Sequence, residues 1–135
     1  MVCIYCSSLT KVINSRKSKK SISTWRRRTC LQCAATYTTT EKPDLNNSLL
    51  VKKSQGDLSP FLEEKLFQSI YESCKHRKSA LTDSVSLKDT ILRFILLDNN
   101  SAIIEKQYLF NKTHEVLSKF DDVSATYYKA YYSPL

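Results

Sequence analysis

Short alternating stretches fill the first third of the chain, and longer helical periodicities fill the rest. Around residues 10–14, 22–28 and 35–40, β-branched and aromatic positions alternate with polar ones, which predicts three strands, with residues 16–20 as a basic loop. Residues 43–48 are polar, carry Pro43 and paired asparagines, and read as a linker. Residues 49–54 form a further short strand, Gln55, Gly56 and Asp57 a turn around the single glycine, and residues 58–61 pair back as a hairpin. The period then changes. Leu62, Leu66, Phe67, Ile70, Tyr71 and Cys74 recur at helical spacing, with Ser59 and Pro60 offering a cap and a first helical residue. A second helix starts near Asp83 or Ser84, with Val85, Leu87, Ile91, Phe94 and Ile95 inward. A third spans about 106–120 over Leu109, Thr113, Val116, Leu117 and Phe120, and a fourth spans about 122–132 over Val123, Tyr127, Tyr128, Tyr131 and Tyr132. The expected fold class is α+β: a small β module over residues 1–42, a linker at 43–48, and a domain over 49–135 made of a β-hairpin and a four-helix cluster.

Cysteine usage changes this picture most. Cys3 and Cys6 form one C-x-x-C pair, and Cys30 and Cys33 form a second. Two such turns can present four thiolates to one tetrahedral Zn²⁺, so the β module reads as a zinc ribbon with Cys3, Cys6, Cys30 and Cys33 as ligands. Two disulfides are the alternative, and nothing else in the chain points to an oxidising compartment. Tetrahedral thiolate sites also hold iron. The fifth cysteine, Cys74, falls on an apolar helical stripe and reads as a small core residue.

Charge is as unevenly placed as cysteine. Of the net +8, residues 1–53 carry +9, since eleven Lys and Arg face only Glu41 and Asp44, and the remainder is near neutral. Lys11, Arg16, Lys17, Lys19, Lys20, Arg26, Arg27 and Arg28 lie in a stretch with no acid, a field suited to nucleic acid. On a strand, Arg26 and Arg28 share one face and Arg27 takes the other. Arginine forks suit both phosphate and the O6/N7 edge of guanine. Lys52 and Lys53 before the Gly56 turn, and Lys65 on the following helix, can converge on a phosphate chain. His76 and His114 have no evident partner. No nucleophile with a base and no paired carboxylates stand out, so an enzyme is not expected. The densest apolar run, residues 94–97, is too short to cross a bilayer, and the chain reads as cytoplasmic with no membrane partner.

These motifs occur together in an order that resembles a known family. Cys3 and Cys6, the segment from Thr10 through Lys11, Val12, Ile13, Asn14 and Ser15 to Arg16, and Arg26 to Arg28 running into Thr29, Cys30, Leu31 and Cys33 are its first marks. Tyr37, Thr38, Thr39 and Glu41 follow, then Val51, Lys52, Lys53 and Ser54, and finally Pro60, Phe61 and the Glu63 to Leu66 run. The whole resembles the bacterial transcriptional repressors of ribonucleotide reductase genes, the NrdR family. The resemblance implies that the four cysteines bind one Zn²⁺ and that Arg16 and Arg26 to Arg28, in the basic stretch with Lys11 and Lys17, face double-stranded DNA of reductase promoters. It also implies that residues 49–135 form an ATP-cone, a domain that binds ATP or dATP and switches a homo-oligomer. Val51, Lys53 and Lys65 would then line the nucleotide, the lysines on phosphates, with Glu41 contributing from the junction.

Departures from the family's pattern bear on selectivity. Ser59 and Leu62 flank Pro60 and Phe61 where the family has polar residues, and Ala125, Thr126, Tyr127 and Tyr128 replace a Tyr-x-Arg-Phe run. The chain stops at Leu135 without the usual charged tail. Poor discrimination between ATP and dATP is therefore expected. Two other readings remain open on the sequence: a zinc-ribbon protein of RNA or ribosome assembly with a degenerate cone, and a regulatory subunit acting directly on a reductase.

Overall fold

In a computed structural model, which describes residues 1–134, the chain divides into two compact units, 1–43 and 44–135. The first unit is a three-stranded antiparallel sheet in the order β1 (Thr10–Lys17), β2 (Thr24–Cys30), β3 (Thr36–Glu41). The alternation read from the sequence holds, but β1 runs three residues further, so Arg16 and Lys17 belong to a strand and not to a loop. A bulge at Ile13 interrupts the register: Val12 pairs with Arg28, yet Asn14 pairs with Arg27. One extra residue on β1 therefore reverses the facing of everything before it. The small core is Cys3, Cys30 and Tyr37, with the Tyr37 hydroxyl donating to the Val2 carbonyl at 2.9 Å.

The second unit begins earlier than the pattern suggests. Residues 45–47 form a 3₁₀ turn, with Leu45 buried, where polar composition pointed to a linker. Asn46 Oδ1 accepts the Glu63 N–H at 3.1 Å, so this turn caps the helix that follows. β4 (Leu50–Lys52) and β5 (Leu58–Pro60) are the expected hairpin, and Gly56, with φ of 91°, makes the turn. Ser59 and Pro60 do not cap a helix, because Ser59 is paired with Val51 in the hairpin and α1 (Glu63–Cys74) starts three residues later. α2 is Ala80–Asp98, three residues longer at its start than expected. β6 (Ile103–Glu105), absent from the expected fold, pairs parallel with β4 and turns the hairpin into a three-stranded sheet. α3 (Lys106–Phe120) and α4 (Asp122–Tyr132) close the chain over the expected residues.

The helices form a ring: α1 packs on α2 and α4, and α3 packs on the same two. Its core is Phe61, Leu66, Ile70, Cys74, Leu87, Ile91, Ile95, Ile104, Leu117 and Tyr128. Val85 and Phe94, expected inward, and Phe120, expected to pack, are exposed, as are Val123, Tyr127 and Tyr131 of the α4 stripe. Ser84, Ser124 and Ala125 are buried in their place. Small side chains let the helices approach closely, and their hydroxyls are satisfied locally: Ser84 donates to the Ala80 carbonyl at 2.5 Å, and Ser73 to that of Ser69 at 2.8 Å. Among the described residues no helix is long and apolar enough to cross a membrane.

His76, which lacked a partner in the sequence, lies 2.8 Å from Asp121. Asp121 is the cap of α4, accepting from the Ser124 N–H at 3.0 Å and its hydroxyl at 2.7 Å. The Ser124 hydroxyl is the chief cause that holds the Asp121 carboxyl below the usual carboxylate range, with the Ser124 N–H and His76 adding to it. A carboxyl with a depressed folded pKa contributes stability that is complete above its unfolded value, about 3.9, and is lost as pH falls through the folded value. Asp121→Asn is accordingly expected to lower the thermal midpoint at pH 7 and to shrink the drop between pH 7 and pH 3. Thermal melts at both pH values check this, and an unchanged drop would contradict it.

Candidate metal centre, basic sheet and lysine-rimmed pocket

Two turns of like geometry build the metal centre. In each, the N–H of the leading cysteine donates five residues ahead, Cys3 to the Ser8 carbonyl at 2.8 Å and Cys30 to the Ala35 carbonyl at 2.9 Å. In each, the residue after the second cysteine is left-handed, Ser7 with φ of 62° and Ala34 with φ of 58°. Both are strained conformations for side chains with a Cβ, and the chain has no glycine at either place. The turns aim backbone donors at sulfur: the Tyr5 N–H meets Cys3 Sγ at 3.4 Å, and the Gln32 and Cys33 N–H groups meet Cys30 Sγ at 3.4 Å each.

Together the turns gather Cys3, Cys6, Cys30 and Cys33 so that all four sulfurs lie within 4.8 Å of one another. Cys3 and Cys33 are 3.8 Å apart, and Cys6 and Cys30 3.4 Å. Four thiolates about 2.3 Å from one Zn²⁺ sit about 3.8 Å from each other, so the set fits a tetrahedral ion. Hydrogen bonds from the Ser8 side chain and backbone lower Cys6 to about 6. Cys33 is drawn down by the Ala35 backbone, but Cys30, desolvation, Cys6 and Cys3 outweigh that and push it up to about 12. Thiols this close resist ionising together, and a divalent cation is what lets four thiolates coexist.

From this anchor the basic sheet extends. Cross-strand partners share a face, so the register sorts the six cations into two sets. Lys17, Arg26 and Arg28 share one face with Ser15 and Tyr37, and Lys11, Arg16 and Arg27 share the other with Trp25, Thr36 and Thr38. Arg27 is held by two hydroxyls, those of Thr38 at 3.0 Å and Thr36 at 2.9 Å. Arg26 donates to Ser15 at 3.3 Å and pairs with Glu41 at 3.4 Å. Arg28 reaches Thr10 at 3.4 Å while its Nε is buried without a partner. Glu41, expected to contribute to the nucleotide site from the junction, ends β3 and pairs with Arg26.

In the second unit, Val51, Lys53 and Lys65 line one cavity of about 590 Å³, together with Ser59 and Leu62. Sequence reasoning missed three polar contributors, Lys106, which opens α3, and Gln68 and Ser69 of α1, and also Phe110. Phe110, Tyr128 and Tyr132 supply an apolar wall. Their rings stack in series, at 5.4 Å and 5.3 Å between centroids and within 24° of parallel. The i, i+4 spacing of Lys106 and Phe110 could have signalled their shared face, but only the packing of α3 against α4 shows what that face meets.

Fold and thiol cluster define a zinc-ribbon protein with a second, α+β unit. Residues 1–41 match the family described as "Transcriptional repressor NrdR-like, N-terminal domain". The similarity extends over nearly the whole chain in curated relatives, each called "Transcriptional repressor NrdR". The Persephonella marina protein is 32% identical over 134 residues, covering 98% of this chain and 87% of the relative. That of Clostridium tetani is 33% identical over 135 residues, with 98% and 86% covered. That of Desulforapulum autotrophicum is 30% identical over 133 residues, with 98% and 79% covered. The chain belongs to the NrdR family.

Proposed function

We propose that this protein is a nucleotide-responsive transcriptional repressor that binds promoter DNA of ribonucleotide reductase genes through its zinc ribbon. In this reading Lys11, Arg16, Lys17 and Arg26 to Arg28 meet duplex DNA. Val51, Lys53 and Lys65 hold ATP or dATP, and nucleotide occupancy sets the state of a homo-oligomer. The observation that carries the reading is the basic sheet built directly onto the four-cysteine site, in a chain whose relatives are named transcriptional repressors. β2 ends in Cys30, so the metal that holds that cysteine also holds the arginine strand. Each ribbon offers few cations, and modules of that kind gain affinity when linked, so assembly can govern operator occupancy without altering a base contact.

The pocket supports the second half of the proposal, with lysines for phosphates and stacked rings for a base. Ser59 and Leu62 both line it, and a leucine offers no hydrogen bond to a sugar hydroxyl. A sugar seated against Leu62 rather than against Ser59 or Gln68 loses no hydrogen bond with its hydroxyl, so ATP and dATP are expected to bind within about tenfold of each other. Titration calorimetry with both nucleotides, on the wild type and on Lys53→Ala, checks this, with Lys53→Ala weakening both. Native mass measured with each nucleotide, with and without a reductase-promoter duplex, tests the whole reading. Preference for structured RNA over that duplex, or co-purification with a reductase without duplex binding, would overturn it.

A further inference from the structure

We propose that Lys106 is the residue by which the second unit counts phosphates, seating the terminal phosphate of a nucleoside triphosphate between itself and Lys53. The inference rests on the adenine-nucleotide reading above. Beside the larger cavity lies a smaller one of about 380 Å³, and the two share Lys53, Lys106 and Pro134. No aromatic ring lines the smaller cavity among the described residues. Most of its lining residues carry polar side-chain ends, with Lys52, Ser54, Gln55 and Gln107 added to the two shared lysines. A ligand whose base lies against Phe110, Tyr128 and Tyr132 would therefore extend its anionic end past Lys53 and Lys106 into a compartment of donors.

Charge favours the same placement. Among the described residues the one acid lining the smaller cavity is Glu105, which pairs with Lys52 at 3.9 Å. Among the described residues Lys53, Lys65 and Lys106 take part in no ion pair, so three cations remain for the ligand. They come from three elements. Lys53 follows β4, Lys65 lies in the first turn of α1, and Lys106 opens α3, whose first N–H groups receive no side-chain cap. That helix end adds favourable dipole to the Lys106 charge. Parallel pairing of β6 with β4 brings them together: Lys52 pairs with Glu105, so the residues that follow, Lys53 and Lys106, leave neighbouring strands side by side.

Calorimetry of the zinc-loaded 135-residue chain with ATP, ADP and AMP tests this on the wild type, Lys106→Gln and Lys106→Arg. In Lys106→Gln, ATP affinity is expected to fall about tenfold, as for one lost charge-assisted hydrogen bond, and AMP affinity less than about twofold. Lys106→Arg should restore most of the ATP affinity. Lys106 is exposed, so the thermal midpoint should not move. Equal losses for all three nucleotides, or no loss for ATP, would overturn the role of Lys106 while leaving the nucleotide reading intact. Failure of the wild type to bind any of the three would overturn both.

Discussion

Cys30→Ser is expected to empty the metal site and unfold the first unit while the second stays folded. Beyond the thiols, the first unit's core holds only Tyr37, far too little apolar area to order 43 residues, so metal binding must supply the folding free energy. Structural zinc contributes about 10–16 kcal/mol in comparable small modules, more than any single side-chain contact in this sheet. The strained Ser7 and Ala34 conformations add to what the metal must offset. Metal analysis should find one Zn²⁺ per wild-type chain and none in the variant, and amide exchange should show protection lost from β1 to β3 alone. Cys74→Ser, a change at a thiol far from the cluster in sequence and buried in the second unit, should leave zinc content unchanged. Recovery of a metal-free wild-type chain with two disulfides by intact mass would refute the metal reading, and visible absorbance would mark iron instead.

Duplex affinity is expected to fall steeply with salt, and the double variant Arg26→Ala, Arg28→Ala should lose on the order of 10- to 100-fold. If both arginines meet phosphate, the salt slope should shrink by roughly 2, whereas a contact to a guanine edge would relax sequence preference instead. The opposite-face pair Arg16→Ala, Arg27→Ala provides the comparison. A ribbon seated with one face on the duplex loses far more from one pair than from the other, and a ribbon inserted into a groove by its edge loses from both. Zinc content measured on each variant separates lost contacts from lost folding, which matters for Arg28 because its Nε is buried. Salt-independent binding, or wild-type affinity in both double variants, would refute a DNA-binding role for the sheet.

How far these readings could be made from residues alone depends on the range of the interaction behind each. The thiol site was legible because two C-x-x-C turns are local devices, each setting its own backbone and needing only one long-range meeting. Strands β1 to β3 and the bounds of α3 and α4 were legible for the same reason, since alternation and helical period act over a few residues. What failed was non-local. β6 is three residues long and exists only because β4 accepts a parallel partner, so no window around Ile103 and Ile104 contains its cause. Ser59 and Pro60 have the chemistry of a helix start, but pairing with β4 prevailed. On α2 Val85 and Phe94 were expected inward, yet Ser84 is buried and they are exposed, and on α4 Ser124 and Ala125 are buried while Tyr131 stands in solvent. At the basic sheet, simple alternation would put Lys11 with Lys17. The Ile13 bulge instead puts it with Arg16 and Arg27. The sequence by itself thus determined the metal chemistry, the positive field and the types of the longer elements, all set by residues near one another. Tertiary structure alone decided which cations share a face and that Lys106 joins Lys53 and Lys65, because register and helix packing are properties of residue pairs far apart in the chain.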